Sequence, residues 1–233
     1  MIKFDNVSFA YEPAEPILTG VNLEIESGLT LLLGPNGCGK STLLKLASGV
    51  EIPDSGRLTV GGFDLWREEV AARKNIAYLP EHPDLSPYAS IQEILNLVCR
   101  LRGETLERGR EALDFFGLRE EANKSVRELS MGQRRRSVFA ACLIGSPGYL
   151  LLDEPLEGMD IGIRKDILGW IARRLKGGGS VVIASHSIRP FFERVTTAVT
   201  IQGRSIRLFK DLPSDARKKL AWLENLAQGF IPE

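Results

Sequence analysis

The sequence has no excess of charge of either sign: its 233 residues include 30 lysines and arginines and 30 aspartates and glutamates. A zero net charge argues against broad binding to nucleic acid, which needs a basic excess on one face. The basic run Arg134–Arg136 is short, and we expect it to form a solvated helix face. Cysteine is limited to Cys38, Cys99 and Cys142, which are widely separated and lack a C-x-x-C motif. Neither a disulfide framework nor a zinc site is indicated, and this cysteine usage suits a reducing cytosol.

Long hydrophobic runs are also missing. No stretch approaches the roughly 18 apolar residues that a membrane-spanning helix needs. The N-terminal segment MIKFDNVSFAY alternates polar and apolar residues and has no signal-peptide core. If the protein works at a membrane, we expect another protein to span it.

Hydrophobic periodicity predicts an α/β fold. The first 26 residues alternate in a way that indicates an antiparallel hairpin, and another short strand is predicted at 56–62. Strands that alternate with helices along the rest of the chain imply a mostly parallel sheet with crossover helices. The buried strands are predicted at 29–33, 148–155 and 180–186, and the helices at 40–48, 160–177 and about 214–228.

The middle of the chain is predicted to be helical. Ser90 and Glu93 form a capping box ahead of an amphipathic helix whose apolar positions extend to Leu101. Further helical stretches follow at about 104–116 and from 127. We predict one domain in which a helical subdomain, 85–145, is inserted into a core formed by 1–84 and 146–233.

A glycine-rich segment, GPNGCGKST at 34–42, matches G-x-x-x-x-G-K-[ST] between a buried strand and a helix. The glycines let backbone N–H groups close around phosphate oxygens. Lys40 would neutralise the β and γ phosphates of a nucleotide, and the Ser41 hydroxyl would coordinate Mg²⁺. We predict that the whole segment binds ATP: Gly34, Pro35, Asn36, Gly37, Cys38, Gly39, Lys40, Ser41 and Thr42.

Two carboxylates and a histidine follow the later buried strands. Asp153 ends one strand and would orient Mg²⁺. Glu154, the next residue, is expected on the other side of the pleat, where it would polarise an attacking water. His186 ends the following strand, at the sheet edge that presents ligand-facing groups, and we expect it to hydrogen-bond the γ-phosphate.

The segment LSMGQ at 129–133 resembles the LSGGQ signature of ABC-type ATPases. With 34–42, 150–155 and His186 in that order, the chain is identified as a member of that family over nearly its whole length. The resemblance implies a P-loop α/β fold and two subunits arranged head to tail, with ATP between them. The signature residues implied to contact the partner's ATP are Ser130, Gly132 and Gln133. A homodimer would suffice, although a heterodimer with a second ATPase subunit stays open.

Three further positions match the family by spacing. Tyr11 resembles the aromatic residue that stacks on adenine, although it also fits an exposed strand end. Asp160 resembles an acidic residue at the dimer interface and is equally a good helix N-cap. Glu81 stands where the family usually has a glutamine that reaches metal and water, so it is a further candidate ligand of ATP and Mg²⁺. Met131 departs from the family in replacing the first signature glycine.

The resemblance implies the ATP-hydrolysing subunit of an ABC transporter, at the cytoplasmic face of separately encoded membrane permease subunits. The carboxylate at 81 and the altered signature favour export, and no nucleic-acid partner is expected. Two alternatives stay open from the sequence alone: a soluble ABC ATPase without a transporter, and a nucleotide-gated regulatory binder without turnover.

Overall fold

A computed structural model describes residues 1–203 and 205–230. These residues form an α/β fold that confirms the predicted class. The strands are β1 (Ile2–Glu12), β2 (Glu15–Ile25), β3 (Gly28–Leu33), β4 (Ser55–Val60), β5 (Phe63–Asp64), β6 (Ile76–Leu79), β7 (Tyr149–Asp153), β8 (Ser180–Ala184), β9 (Val195–Gln202) and β10 (Ser205–Phe209). The helices are α1 (Lys40–Ser48), α2 (Glu69–Lys74), α3 (Ile91–Arg102), α4 (Leu106–Phe115), α5 (Met131–Leu143), α6 (Ile161–Lys176) and α7 (Ala216–Ala227).

The strands form two sheets. The first is antiparallel in the order β2-β1-β4-β5, and the second has the order β10-β9-β3-β8-β7-β6. In the second sheet β9, β3, β8, β7 and β6 run parallel, whereas β10 runs antiparallel to β9. Because parallel strands end at the same edge of a sheet, the segments that follow β3, β6, β7 and β8 lie near one another.

Helix α1 packs between the two sheets. Its buried leucines, Leu43, Leu44 and Leu46, share one apolar cluster with Phe4 of β1 and Leu151 of β7. This packing fixes the direction of α1, and with it the position of the loop that joins β3 to α1. A second apolar cluster covers the other face of the parallel sheet.

Helices α3, α4 and α5 pack on one another within the predicted helical subdomain. The capping box at the start of α3 is present: the Ser90 hydroxyl accepts from the Glu93 N–H, and the Glu93 carboxylate accepts from the Ser90 N–H at 2.8 Å. Packed aromatic rings connect this segment to the core. The ring centroid of Phe139 in α5 lies 5.5 Å from that of Phe116 and 5.7 Å from that of Trp170 in α6.

Two details differ from the sequence-based expectations. Leu101 does not join the buried face of α3; it is 67% exposed and borders a surface groove with Val70 of α2. Five elements, β5, α2, β6, β9 and β10, were not predicted. Among the described residues, none of the helices is both long enough and apolar enough to cross a bilayer.

Candidate nucleotide-binding site

The loop between β3 and α1 is tightly folded. Gly34 adopts φ +139°, and a Cβ there would lie 2.7 Å from the carbonyl oxygen of Ile201 and 2.9 Å from Cys38 Sγ. Gly39, at φ +108°, is the N-cap of α1. Side chains at these two positions would be strained or would clash, so glycine allows the backbone to turn back over the end of β3.

The N-terminus of α1 fits an anion. None of the described side chains caps it, so its first N–H groups have no side-chain acceptor. Lys40 lies at the same end, where its ammonium donates to the carbonyl oxygens of Gly34 and Pro35 at 2.9 Å each. Backbone N–H groups at a helix start, next to an ammonium, are the chemistry that binds phosphate.

Asp153 ends β7 beside this loop and is almost fully buried. Burial, the largest cause, raises the pKa of Asp153 above its ordinary value of 3.8, and the neighbouring Ser41 hydroxyl opposes that rise. The negative charges of Glu81 and Glu154 raise the pKa further. A hydroxyl and a carboxylate are oxygen ligands of the kind that Mg²⁺ prefers, and a cation would offset the cost of the buried charge. These residues therefore fit a Mg²⁺ ion.

Glu154 follows β7 with a left-handed backbone at φ +47°, an uncommon conformation for a residue with a side chain. Its Oε1 accepts from the His186 N–H at 2.7 Å, and its Oε2 accepts from the Ser185 hydroxyl at 2.9 Å. The prediction that Glu154 lies on the other side of the pleat was wrong, because the strand ends at Asp153 and the chain turns there. The turn directs the carboxylate toward the end of β8.

His186 lies just after β8 with a mostly exposed imidazole. Its Nε2 is 3.5 Å from Oε1 of Glu154, so both the backbone and the side chain of His186 face that carboxylate. Sequence reasoning missed Ser185, whose hydroxyl donates to the same Glu154 carboxylate as the His186 N–H. Its position directly before the histidine at the end of a buried strand was the available signal.

These elements enclose one cavity of about 410 Å³. It brings together most of the predicted site residues, and Ile17 of β2 joins them. The predicted residues that line it are Tyr11, Asn36, Gly37, Gly39, Lys40, Ser41, Thr42, Glu81, Asp153, Glu154 and His186.

Tyr11 lies at the rim of the cavity with its side chain half exposed. Its ring packs edge-on against Phe9 with centroids 4.9 Å apart, and the Lys45 ammonium lies 5.5 Å from the ring centroid. These contacts hold the ring beside the loop between β3 and α1.

Glu81 follows β6 and reaches the cavity with a partly exposed carboxylate. Its Oε1 is 3.9 Å from Nε2 of His82. The backbone of Glu81 is held more firmly than its side chain, because its carbonyl oxygen accepts a hydrogen bond from Arg135 at 2.5 Å.

The signature residues lie outside this cavity, on a second surface of the chain. Ser130 is the N-cap of α5: its hydroxyl accepts from the Gln133 N–H at 3.2 Å, and Gln133 Oε1 accepts from the Ser130 N–H at 2.9 Å. Gly132 faces the carbonyl of Gly158, in the turn before α6. Asp160 caps α6 by accepting from the Ile163 N–H at 3.0 Å, so its helix-cap role is present.

The expectation that Arg134–Arg136 forms a solvated face was wrong for its central residue. Arg135 is 6% exposed and donates to the carbonyl oxygens of Glu81, Asp153 and Glu154. The helical period contained the signal, since Arg135, Phe139 and Cys142 share the buried face of α5.

Comparisons with known proteins identify the family of this chain. A model of the ABC transporter family matches residues 18–157. The chain is 33% identical over 191 residues to the linearmycin resistance ATP-binding protein LnrL of Bacillus subtilis, a match that covers 80% of this chain and 61% of LnrL. It is 34% identical over 211 residues to the taurine import ATP-binding protein TauB of Pseudomonas aeruginosa, covering 88% of this chain and 79% of TauB. The chain thus spans less than two thirds of LnrL.

The fold also matches solved structures. One is the dimeric post-hydrolysis state of the ATP-binding cassette MJ0796 bound to ADP and Pi, with a TM-score of 0.79 and 25% identity over 90% of this chain and 98% of that one. The predicted family is confirmed: the chain is an ATP-binding cassette of the ABC transporter family, whose ATP-binding proteins are ATPases.

Proposed function

We propose that this chain binds Mg²⁺–ATP in the cavity beside α1 and hydrolyses it to power an ABC transporter. The convergence of Lys40, Asp153 and Glu154 at the carboxyl ends of parallel strands supports the proposal. Lys40 and the start of α1 bind the phosphates, and Ser41 and Asp153 hold Mg²⁺. When bound, Mg²⁺ supplies positive charge that stabilises the negative charge on the phosphates. Glu154 orients and polarises the attacking water, and His186 contacts the γ-phosphate.

We further propose that two copies assemble head to tail. Ser130 and Gly132 then contact ATP held by the loop of the partner copy, and Asp160 lies at the interface. None of the three lines the cavity of its own chain, which supports this assignment, because a single copy then leaves each site incomplete. The MJ0796 cassette is likewise dimeric, and a heterodimer with a second ATPase subunit is the alternative.

The membrane partner is proposed to be a separate permease at whose inner face this chain binds. A groove of about 360 Å³ between α2 and α3 supports this role. Its apolar lining includes Val70 and Leu101, both largely exposed, and its charged lining includes Glu69, Arg73 and Lys74. Such a groove suits a short amphipathic helix. Among the relatives, LnrL is a resistance protein and TauB an import protein. For this chain we propose export, on the grounds of the carboxylate at position 81 and the altered signature.

Measuring ATP hydrolysis by the purified chain, with and without Mg²⁺, tests the enzymatic part. Lys40→Ala should remove ATP binding and turnover together, because the ammonium contacts the phosphates. Identifying the membrane protein that co-purifies with the chain tests the transporter part. An inactive wild type, or Mg²⁺-dependent turnover that persists in Lys40→Ala, would refute the assignment of the cavity.

A further inference from the structure

Arg135 is a buried cation without a close carboxylate among residues 1–203 and 205–230. Within these residues its guanidinium reaches one carboxylate oxygen within 4.0 Å, that of the exposed Glu157 at 3.9 Å. Of the groups in the described residues, none accepts from its Nε. Burying a charge with an unmatched donor costs free energy, so the stability of the fold does not by itself account for this residue.

In the described part of the chain, the side-chain hydrogen bonds of Arg135 all go to backbone carbonyls at the proposed catalytic site. One terminal nitrogen, Nη1, donates to the carbonyl oxygen of Glu81, in the segment after β6. The other, Nη2, donates to the carbonyl oxygens of Asp153, at 3.1 Å, and Glu154. A planar guanidinium with several donors in a fixed fork can hold such a set, whereas an ammonium cannot match its geometry.

The contact with Glu154 falls on a strained backbone. A left-handed backbone is unfavourable for a residue with a side chain, and it persists where the surroundings hold it. Its carbonyl is held by Arg135, and its N–H donates to Ala184 at 2.8 Å. The direction of the Glu154 carboxylate therefore depends on a residue of α5, the helix that begins at the signature.

We propose that Arg135 is a positioning residue, which joins the signature helix α5 to the backbone of Glu154 and of Glu81. It does not line the cavity assigned to ATP; it holds the strand end in the conformation that directs the Glu154 carboxylate at the attacking water. A displacement of α5 by a partner subunit then reaches Glu154 and Glu81 through one side chain. This inference rests on the proposed hydrolysis of ATP.

Steady-state kinetics of Arg135→Gln test the proposal. We expect kcat to fall by about 10²-fold, the typical effect of misplacing a catalytic group. The KM for ATP should stay within about threefold, because the phosphate-binding loop is untouched. Arg136→Gln is the matched control: Arg136 also donates to a backbone carbonyl, that of Phe116 at 3.1 Å, but within the helical segment. Its kcat should stay near the wild-type value.

Two further variants separate positioning from a loss of folding. Arg135→Lys keeps the charge and the packed stem, so it should fold, bind ATP and show an intermediate kcat. In the Glu154→Gln background, adding Arg135→Gln should lower the residual rate by less than about threefold, because both changes act on the same carboxylate.

The outcomes are distinct. An inactive wild type would overturn the proposed function and this inference with it. If the wild type is active and Arg135→Gln has the same kcat, the inference alone is overturned. The same holds if Arg135→Gln lowers the rate as strongly in the Glu154→Gln background as in the wild type. Should Arg135→Gln fail to fold, a wild-type kcat in Arg135→Lys overturns it.

Discussion

At the scale of single residues, Glu154 is held at four points. Its N–H and carbonyl bond to Ala184 and Arg135, and its two carboxylate oxygens bond to His186 and Ser185. A carboxylate fixed in this way can orient a water molecule without first losing conformational freedom. Ser185 contributes a hydroxyl that can either donate or accept.

Glu154→Gln should therefore bind ATP normally and lose most turnover. The amide fits the same position, because the Ser185 hydroxyl can accept from its NH₂ group, but it does not polarise water as a carboxylate does. General-base contributions are about 10²–10⁴-fold in rate. Turnover and ATP affinity are measured together, with the exposed Glu193→Gln as control. A variant within a few-fold of wild type contradicts the role of Glu154.

Asp153→Asn should raise the stability of the nucleotide-free chain while abolishing hydrolysis. The raised pKa of Asp153 means that its ionised form is unfavourable in the folded state. This penalty is absent well below pH 3.8, where the carboxyl is protonated in both states, and is complete once the pH exceeds the raised pKa. The amide removes the penalty at pH 7.5, and each kcal/mol recovered raises Tm by about 2–4 °C in a chain of this size.

Thermal unfolding without Mg²⁺ or nucleotide measures this effect. Asp64→Asn is the matched control, because the Arg67 N–H and other donors lower the pKa of that buried carboxylate. Ionised Asp64 stabilises the fold, so its replacement should lower Tm at the same pH. If Asp153→Asn also lowers Tm, this would contradict the assignment of a raised pKa to Asp153 and a lowered pKa to Asp64.

At the scale of elements, the start of α5 has two roles. Within the chain Ser130 caps the helix, and in the proposed dimer the same end contacts the ATP of the partner copy. ATP with Mg²⁺ should convert Glu154→Gln from monomer to dimer. Adding Ser130→Arg should block this conversion, because a large side chain would occupy the place of the γ-phosphate.

Light scattering reads out the oligomeric state. Because Ser130→Arg also removes a helix cap, which is worth about 1 kcal/mol, the control is Asp215→Ala. Asp215 caps α7 by accepting from the Lys218 N–H at 2.9 Å. The control should still dimerise in the Glu154→Gln background. If Ser130→Arg dimerises equally, the signature does not face a partner's ATP.

The elements differed in how far the sequence predicted them. Helices α1, α3 and α6 end within about a residue of their expected bounds, because the glycines at 39 and 49, Ser90 and Asp160 mark their termini locally. Strand β6 has four residues and β5 two, too short for a periodic signal. The helical period could have shown that Arg135 is buried, but its contacts and the left-handed turn at Glu154 depend on residues distant in sequence, which local patterns could not reveal.

At the scale of the whole molecule, Glu81 lies between the nucleotide cavity and the surface. Its carboxylate lines the cavity, and its segment leads from β6 toward the helical segment. If the chief role of Glu81 is to couple the nucleotide cavity to the permease, Glu81→Gln should keep the basal ATPase rate within a few-fold of the wild-type rate. An amide also accepts hydrogen bonds from metal-bound water. Glu81→Ala should reduce stimulation by the permease more than basal turnover.

Basal and permease-stimulated rates decide the role of Glu81. Glu154 already occupies the strand end that a water-activating base needs, so we expect the basal rate to survive in both variants. Loss of basal activity in both would instead make Glu81 a second catalytic carboxylate.

The groove between α2 and α3 is expected to bind the permease. Leu101→Glu should abolish co-purification with the permease and leave basal ATPase within about threefold, because it places a charge in the apolar part of the docking surface without approaching the cavity. Leu97→Glu is the control, since Leu97 is also exposed on α3 but does not line the groove. Equal co-purification of the two variants would exclude the groove as the docking surface.

The central position of β3 has a consequence for biosynthesis. This early strand, from which the phosphate-binding loop emerges, pairs on one side with β8 and on the other with β9, roughly 150 residues later in the chain. Contacts so distant in sequence form late and slow folding. While the chain emerges from the ribosome, the loop stays without its supporting sheet until β8 and β9 have been made. A truncated product ending before residue 180 would contain the glycine-rich loop, the signature and both carboxylates, and we expect it to bind no nucleotide.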